Sequence, residues 1–293
     1  MNTKISVIVP TYKRSNSLRN LLDSLESQLT ADMELIIVEQ YYNNSDLYKK
    51  LPKKYQSRFK YIFVKHKSLP FARNVGVKNS SSPIILFLDD DVILEKDLIT
   101  NHLSNYKDPK IGGVAGRVLT PGQKIDLKKM NVGKISILGN FSDGFSSSIK
   151  QETDTVIGCN CSWRKEIFQK IGGFDTNFKG NALREDSDFS LRVKKLGYTI
   201  IFEPTATVHH LRELEGGSRK TEGRIQWYHD FFSNETYFFL KHRNKLLLPL
   251  MLIQRWEWFI RSFLSFTRGE RITHSISAPF KGIIDGIIEY RKI

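Results

Sequence analysis

Two rhythms of apolar residues alternate along the first hundred positions. Short runs rich in β-branched and aromatic side chains, at 5–10, 34–39, 61–64 and 83–88, read as buried strands. Between them, residues 17–29 place Leu18, Leu21, Leu22, Leu25 and Leu29 at helical spacing. Residues 71–78 read as a short helix, and 47–55 as a weaker one with Pro52 near its middle. Such alternation predicts an α/β fold, with a parallel sheet and right-handed crossovers in a Rossmann-like, nucleotide-binding half over about 1–110. From Gly112 the pattern changes. Residues 113–118 and 156–163 read as strands, with a polar stretch rich in Gly, Ser and Lys between them (120–153) that predicts a variable loop region. A short helix over 164–171, a helix over 185–196 closed by the C′ glycine Gly197, and a strand over 198–209 follow. Beyond His210 the chain is helical and basic, without repeats.

The strand at 83–88 runs directly into Asp89, Asp90 and Asp91. Open α/β sheets bind ligands at the carboxyl ends of their strands, and two carboxylates there can hold a hard divalent cation shared with substrate phosphates. A solvated turn whose acids cap the next helix is the plainer reading of the same residues. The first strand is followed by Pro10-Thr11-Tyr12-Lys13-Arg14, not by a Gly-x-Gly-x-x-Gly turn, which argues against a dinucleotide-dependent dehydrogenase.

Composition narrows the classes further. With 40% hydrophobic and 26% charged residues, the 293-residue chain is an ordinary globular composition, and no apolar stretch approaches the ~18 residues of a spanning helix. The N-terminal apolar run is too short for a signal peptide. Cys159 and Cys161 are the only cysteines; their i, i+2 spacing suits one face of a strand and disfavours a mutual disulfide or a zinc site. Buried thiols and a cytoplasmic location are expected. The formal net charge is +14, and ten basic residues with no acid lie between Leu47 and Leu88. Without an aromatic RNA-reading motif or a recognition helix, nucleic acid is not the expected partner; an anionic membrane surface, bound peripherally on its inner face, suits the charge better.

Six segments, in order, carry a resemblance. They are residues 5–14 (ISVIVPTYKR), 35–39 (LIIVE), 71–76 (FARNVG), 87–92 (FLDDDV), 172–175 (GGFD) and 184–189 (REDSDF). Over residues 4 to about 219 the chain resembles the family 2 glycosyltransferases of the GT-A fold, of the type that builds bacterial cell-surface polysaccharides. The resemblance implies an inverting, metal-dependent hexosyltransferase that moves one sugar from a nucleotide-sugar donor, most often a UDP-sugar, to a glycan or lipid-linked acceptor. It implies a catalytic domain over 1–219, with an acceptor half at about 111–219, and a helical extension over 220–293. Pro10, Thr11, Tyr12, Arg14 and Glu39 would frame the nucleoside, Glu39 standing where the family usually has Asp. Arg73 would meet the nucleotide or a nearby carboxylate. Asp89 and Asp91 would serve ribose and metal, with Asp91 the Mg²⁺ or Mn²⁺ ligand and Asp90 either a further nucleotide-sugar contact or turned to solvent. Asp186 resembles the catalytic base and Glu185 beside it would touch the nucleotide sugar, although acids at 185, 186 and 188 also suit a helix's first turn. His209 or His210, with His209 preferred, would be a further metal ligand. Gly216, Gly217 and Arg219 would wrap phosphates, or form a mobile turn. A nucleotidyltransferase, or a non-catalytic nucleotide-sugar or glycan binder, would share the acids at 89–91.

The tail separates subclasses. Processive members of that family carry Gln-x-x-Arg-Trp and several spanning helices, whereas here Leu252 stands where Arg255-Trp256 would need Gln. Transfer of a single sugar is therefore expected. Leu252, Trp256, Phe259, Ile260, Phe263 and Phe266 recur at helical spacing with Arg255, Arg261 and Arg268 elsewhere around the helix. That pattern suits a membrane-interface helix, a cover packed on the catalytic domain, or a dimer contact.

Overall fold

The computed structural model describes residues 4–30, 32–43, 58–213, 216–217, 223–264 and 272–293. The helix expected at 47–55 and the expected ligand Arg219 lie outside the described residues, as do Phe266 and Arg268. Among the described residues, nine strands form one sheet in the order β3-β2-β1-β4-β8-β6-β9-β5, with β7 also on β9.

Strands β1 (Ile5–Thr11), β2 (Met33–Glu39), β3 (Phe59–Phe63) and β4 (Ile84–Leu88) are parallel, as their sequence rhythm predicts. β1, β2 and β4 are buried at every position, which is why they read as continuous apolar runs. Helix α1 (Ser15–Glu26) buries its leucine face, Leu18, Leu21, Leu22 and Leu25. Helix α2 (Leu69–Asn79) starts at Ser68, whose side chain accepts the Phe71 N–H, with Pro70 in the first turn. A Cβ at Gly76 would overlap Ile8, so the glycine lets α2 lie directly on β1. That close approach delivers Arg73 to the ends of the strands.

The second half of the sheet is mixed. β5 (Val92–Leu94) and helix α3 (Leu98–Ser104) follow the acids, then β6 (Ile111–Leu119), β7 (Gln151–Thr153) and β8 (Asn160–Arg164). β8 runs antiparallel between β4 and β6, while β9 (Thr199–His210) is parallel to β6 and antiparallel to β5. Cys159 and Cys161 are buried free thiols, as expected. The region 120–153 is less loose than its composition suggests. Val132, Phe145 and Ser147 are buried, with Phe145 edge-on to Phe202 at 5.9 Å, and positive φ at Gly133 and Gly144 permits the turns.

Three aromatic rings fill the space under helices α4 (Lys165–Ile171) and α5 (Glu185–Lys195): Phe168, Phe174 and Phe189 stack with centroids 4.5–5.7 Å apart. Burial of each contributes about 1.5–3 kcal/mol. Helix α6 (Gly223–His242) then crosses to α5, and α7 (Leu248–Gln254), α8 (Trp256–Leu264) and α9 (Ile272–Tyr290) pack on it. Among the described residues, no helix is long and apolar enough to cross a membrane.

Candidate active site

The three acids take three different positions where β4 ends. β5 begins at once and pairs Val92 with His210, so the end of β9 lies beside Asp91. The Leu211 N–H donates to the Asp91 carbonyl at 2.9 Å, which pins that junction. The two carboxylate oxygens of Asp91 face different partners. Oδ2 accepts the Glu213 N–H at 3.1 Å and meets Arg14 Nη1 at 2.9 Å. Oδ1 is buried and accepts no aligned hydrogen bond, with His210 Nε2 3.2 Å away. Burial pushes the Asp91 carboxyl up, but His210, Arg14 and the Glu213 amide outweigh it and hold it below the ordinary value.

One ligand atom each from Asp89, Asp91 and His210 lies within 4.8 Å of the others. Two carboxylates and an imidazole around an orphaned buried oxygen are a donor set that fits a divalent cation. The preference for His209 is corrected. Its Nε2 meets Glu95 Oε1 at 2.9 Å on the more exposed side of β9, and His210 takes the place beside Asp91.

Asp90 is also corrected: it does not face solvent. It is 4% exposed, accepts from Thr11 Oγ1 at 2.7 Å and from Arg14 Nη1 at 3.1 Å. Burial pushes its carboxyl up to about 7 against the pull of Arg14 and Thr11, with Asp91 and Asp89 adding to the rise. Arg14 thus ties the turn after β1 to both Asp90 and Asp91. Its predecessor Lys13 has φ 57, the left-handed conformation that bends the chain there. Gly217 packs on this turn, and its N–H donates to the Tyr12 carbonyl at 2.9 Å. That amide is spent within the protein, contrary to the phosphate-wrapping role expected of it.

Next to this turn stands an aromatic and cationic cluster. Tyr12 and Tyr41 meet edge to face at 5.4 Å, Lys13 Nζ lies 4.1 Å from the Tyr41 ring, and Lys67 Nζ lies 5.3 Å from that of Tyr12. Pro10 is buried in register with Val38. Glu39 is 1% exposed, and its Oε1 accepts the N–H groups of Gln40 at 3.0 Å and Tyr41 at 2.9 Å. Burial raises its pKa against those amides. Glu39 therefore shapes the turn that presents Tyr41. Sequence reasoning missed Tyr41 and Lys67, although an aromatic pair directly after a strand-end acid was a usable signal.

On the other side, Arg73 is buried and forms an ion pair with buried Glu185. Its Nη2 lies 3.6 Å from Asp89 Oδ1 and donates to the Gly158 carbonyl at 3.0 Å. Of the two contacts expected for Arg73, the structure gives the carboxylates. Glu185, expected to touch the donor, is likewise 3% exposed and occupied by Arg73; burial takes its carboxyl up to about 8 although Arg73 opposes the rise. Asp186 is half-buried in the first turn of α5. Its Oδ2 accepts the Gly158 N–H at 3.3 Å, and its Oδ1 its neighbour Ser187's N–H at 2.7 Å. Asp89, Arg73, Gly158 and Asp186 form one line of contacts across the ends of the strands.

Helix α6 braces this line from behind. Arg184, with φ 76, turns the chain into α5. Its Nε donates to Glu235 Oε1 at 2.5 Å, and Arg255 Nη2 to Glu235 Oε2 at 2.9 Å. Burial pushes Glu235 up, but the two arginines outweigh it and keep it ionised. Asp188 is fully buried among Arg192 at 2.8 Å, Lys241 at 2.8 Å and His242 at 2.7 Å. Asp175 of the GGFD segment accepts from Tyr237 at 2.6 Å and from Lys241 at 2.5 Å. Apart from the i, i+4 pair Asp188–Arg192, these ties are long-range and leave no local signal in the sequence.

A family model described as glycosyl transferase family 2 matches residues 6–172, more than half of the chain. The chain belongs to this family. A second model, the N-terminal domain of galactosyltransferase, matches residues 140–215, which include Asp186 and His210. The family 2 chain is 25% identical over 279 residues to a poly-β-1,6-N-acetyl-D-glucosamine synthase of Staphylococcus epidermidis, covering 89% of this chain and 64% of that protein. It is 27% identical over 215 residues to an O-antigen chain rhamnosyltransferase of Salmonella typhimurium, covering 71% and 66%. The chain thus spans less than two thirds of these relatives' length. Among solved structures, it superposes on S. aureus TarS (residues 1–349) with a TM-score of 0.59 at 15% identity, covering 99% of this chain and 89% of that one. A mannosyltransferase from Pyrobaculum calidifontis, solved with GDP-Man and Mn²⁺, gives a TM-score of 0.58 at 13% identity, with 99% and 88% covered. The fold is GT-A, as the sequence motifs imply.

Proposed function

We propose that this chain transfers one sugar, with inversion, from a nucleotide-sugar donor to a hydroxyl of a glycan or lipid-linked acceptor in cell-surface polysaccharide synthesis. The observation that carries the reading is the line from the Asp89–Asp91–His210 cluster through Arg73 and Gly158 to Asp186. A cluster able to hold a cation would then stand beside the end of β4, with a separate carboxylate at the start of α5, an arrangement suited to displacement at an anomeric carbon.

Tyr12, Tyr41 and Lys67 would cradle the nucleoside, with Pro10, Thr11, Arg14 and Glu39 fixing the loop that carries them. Asp89 would reach the ribose or the metal, and Arg219 the diphosphate. Asp89, Asp91 and His210 would hold Mg²⁺ or Mn²⁺, which when bound supplies positive charge opposite a diphosphate leaving group. The imidazole ligand favours Mn²⁺, because Mg²⁺ prefers an all-oxygen shell. Asp186 would take the proton from the acceptor hydroxyl as that oxygen attacks the face opposite the nucleotide. Arg73 and Glu185 position Asp89 and Asp186 without touching the donor. The chain divides into a nucleotide-binding half to about 110, an acceptor half to about 219 and a helical extension.

Single transfer is supported by the Arg255-Trp256 pair: Arg255 is locked onto Glu235 and Asn140, and Trp256 is exposed. A UDP-sugar is the first candidate donor and dTDP-rhamnose the second, since the relatives' names include both a GlcNAc polymer synthase and a rhamnosyltransferase. A nucleotidyltransferase would use Asp89 and Asp91 but leave Asp186 idle. The test is calorimetric binding and turnover of UDP-, dTDP- and GDP-sugars with and without Mn²⁺. One donor should bind in a metal-dependent way, lose binding in Asp91→Ala, and keep binding but lose turnover in Asp186→Asn. A folded protein that binds none of them would overturn the reading.

A further inference from the structure

The C-terminal helices put their apolar side chains on the outside. Helix α8 turns Arg255, at its start, and Ser262 inward, where Arg255 is consumed by Glu235. Phe259 packs on Phe232 at 4.3 Å, and Trp258 on Phe231 at 4.8 Å. The helix is therefore already anchored to α6, and what it presents outward is surplus to that packing. Ile253, at the end of α7, and Trp256 and Ile260 of α8 are 45–66% exposed. Helix α9 repeats the arrangement. Its small residues Ala278, Gly282 and Gly286 lie against α6, where a Cβ on Gly282 would overlap the His229 carbonyl. Phe280, Ile284 and Ile288, at i, i+4 and i+8, are 45–57% exposed. Phe259 and Phe280 meet at 5.8 Å, so α8 and α9 adjoin. Two adjoining helices with outward apolar stripes exceed the scattered exposed residues of an ordinary surface.

Charge around the stripes is mostly positive. Lys245, Arg261, Lys281 and Arg291 are exposed among them. The acids of α9 are engaged elsewhere: Asp285 meets His229 at 2.9 Å, and Glu289 meets Lys179 at 2.7 Å and Lys292 at 2.9 Å. Glu257 is the one exposed acid of α8. A second copy of a chain carrying +14 would bring like charge to this rim, whereas an anionic lipid surface brings the opposite charge.

We infer that the end of α7, α8 and α9 form a bilayer-docking face, lying in the plane of an anionic membrane with Ile253, Trp256, Ile260, Phe280, Ile284 and Ile288 inserted among the acyl chains. Basic residues at the rim would sit at the headgroups. The face holds whichever sugar the site transfers, and binding is read without turnover, so its failure is separable from failure of the transferase reading.

The test is flotation of the full chain with phosphatidylcholine vesicles that do or do not contain phosphatidylglycerol. The wild type should float with the anionic vesicles, less so in high salt. Ile260→Glu combined with Ile284→Glu should lower vesicle affinity at least about tenfold, since binding scales with inserted apolar area. Both positions are exposed, so the thermal melt and the metal-dependent donor binding should not change. Flotation undiminished in the double variant, or equal with neutral vesicles, would overturn the inference. So would a wild type that ignores vesicles but forms a dimer that the double variant dissolves, which would assign the face to self-association.

Discussion

Asp91 divides its two oxygens between the protein and the cation cluster, and that division predicts how neighbouring substitutions differ. Arg14 and the Glu213 amide hold Oδ2, leaving Oδ1 beside His210 with no aligned donor. His210→Ala should weaken Mn²⁺ binding by about 10–100-fold or more, the range seen when even an outer partner of a metal ligand is lost. His209→Ala removes a half-exposed contact to Glu95 and should leave Mn²⁺ affinity near wild type. Manganese titration followed by electron paramagnetic resonance separates the two; a larger loss in the His209 variant would refute the assignment. The place of Asp89, Asp91 and Asp186 near the strand ends was legible because an acid after a buried strand, or opening the helix beside it, stands where open α/β sheets bind ligands, although capping and the helix dipole also suit such acids. The internal duties of Glu39, Asp90, Arg73 and Glu185 were not. A sequence shows that a polar residue lies near a site but not which way it points, and all four point into the protein.

Among elements, the joint between α5 and α6 rests on buried charge. Asp188 sits among Arg192, Lys241 and His242, which together overcome burial and hold its carboxyl well below the ordinary range. Because the folded pKa is depressed, the unfolded chain binds the proton first. The contribution is fully present above the ordinary Asp value near 4 and is lost as pH falls below it. His242, held down by burial, adds a loss that begins as pH falls through about 6.5. Asp188→Asn should cost about 3–5 kcal/mol at neutral pH, because Arg192 and Lys241 lose their buried counter-charge, and should flatten the acid limb of stability. Urea melts between about pH 2 and 8 read both effects; an unchanged acid limb would remove Asp188 from the joint. The strands β1, β2 and β4 and helix α2 could be read from the sequence, since burial on both faces and a Ser–Pro start are local signals. β5 and α3 could not. Three residues carry no period, and α3 starts from Asp97 in a left-handed conformation without a side-chain cap.

The molecule as a whole is one sheet with a helical brace, and occupancy of its site should register in global stability. A ligand present at 100 times its Kd stabilises by about 2.7 kcal/mol. Mn²⁺ and the correct nucleotide together should therefore raise the melting temperature by several degrees, and Asp91→Ala should abolish the rise. A scanning fluorimetry panel of nucleotides measures this and ranks donors at once; equal shifts in the Asp91 variant would place binding elsewhere. The halves of the sheet were recognisable as a family pattern, because strand-end motifs keep their order along the chain. The role of the last seventy residues was not, since Glu235 and Arg255 act on Arg184 across long separations. The brace is as much a part of the site as the strands.

The pairing of β6 with β9 skips residues between Glu203 and Thr207, where Asn160 grips the Ala206 and Arg117 carbonyls and Gly116 leaves room for it. This excursion sets the phase of everything downstream on β9. A single-residue insertion within it, shifting every later residue of β9 one place along the same path, would bring His209 into the place beside Asp91 and carry His210 past it to the opposite face. Tandem histidines at a strand end are thus a vernier: whichever one meets the acids is counted off from the bulge at residues 204–206.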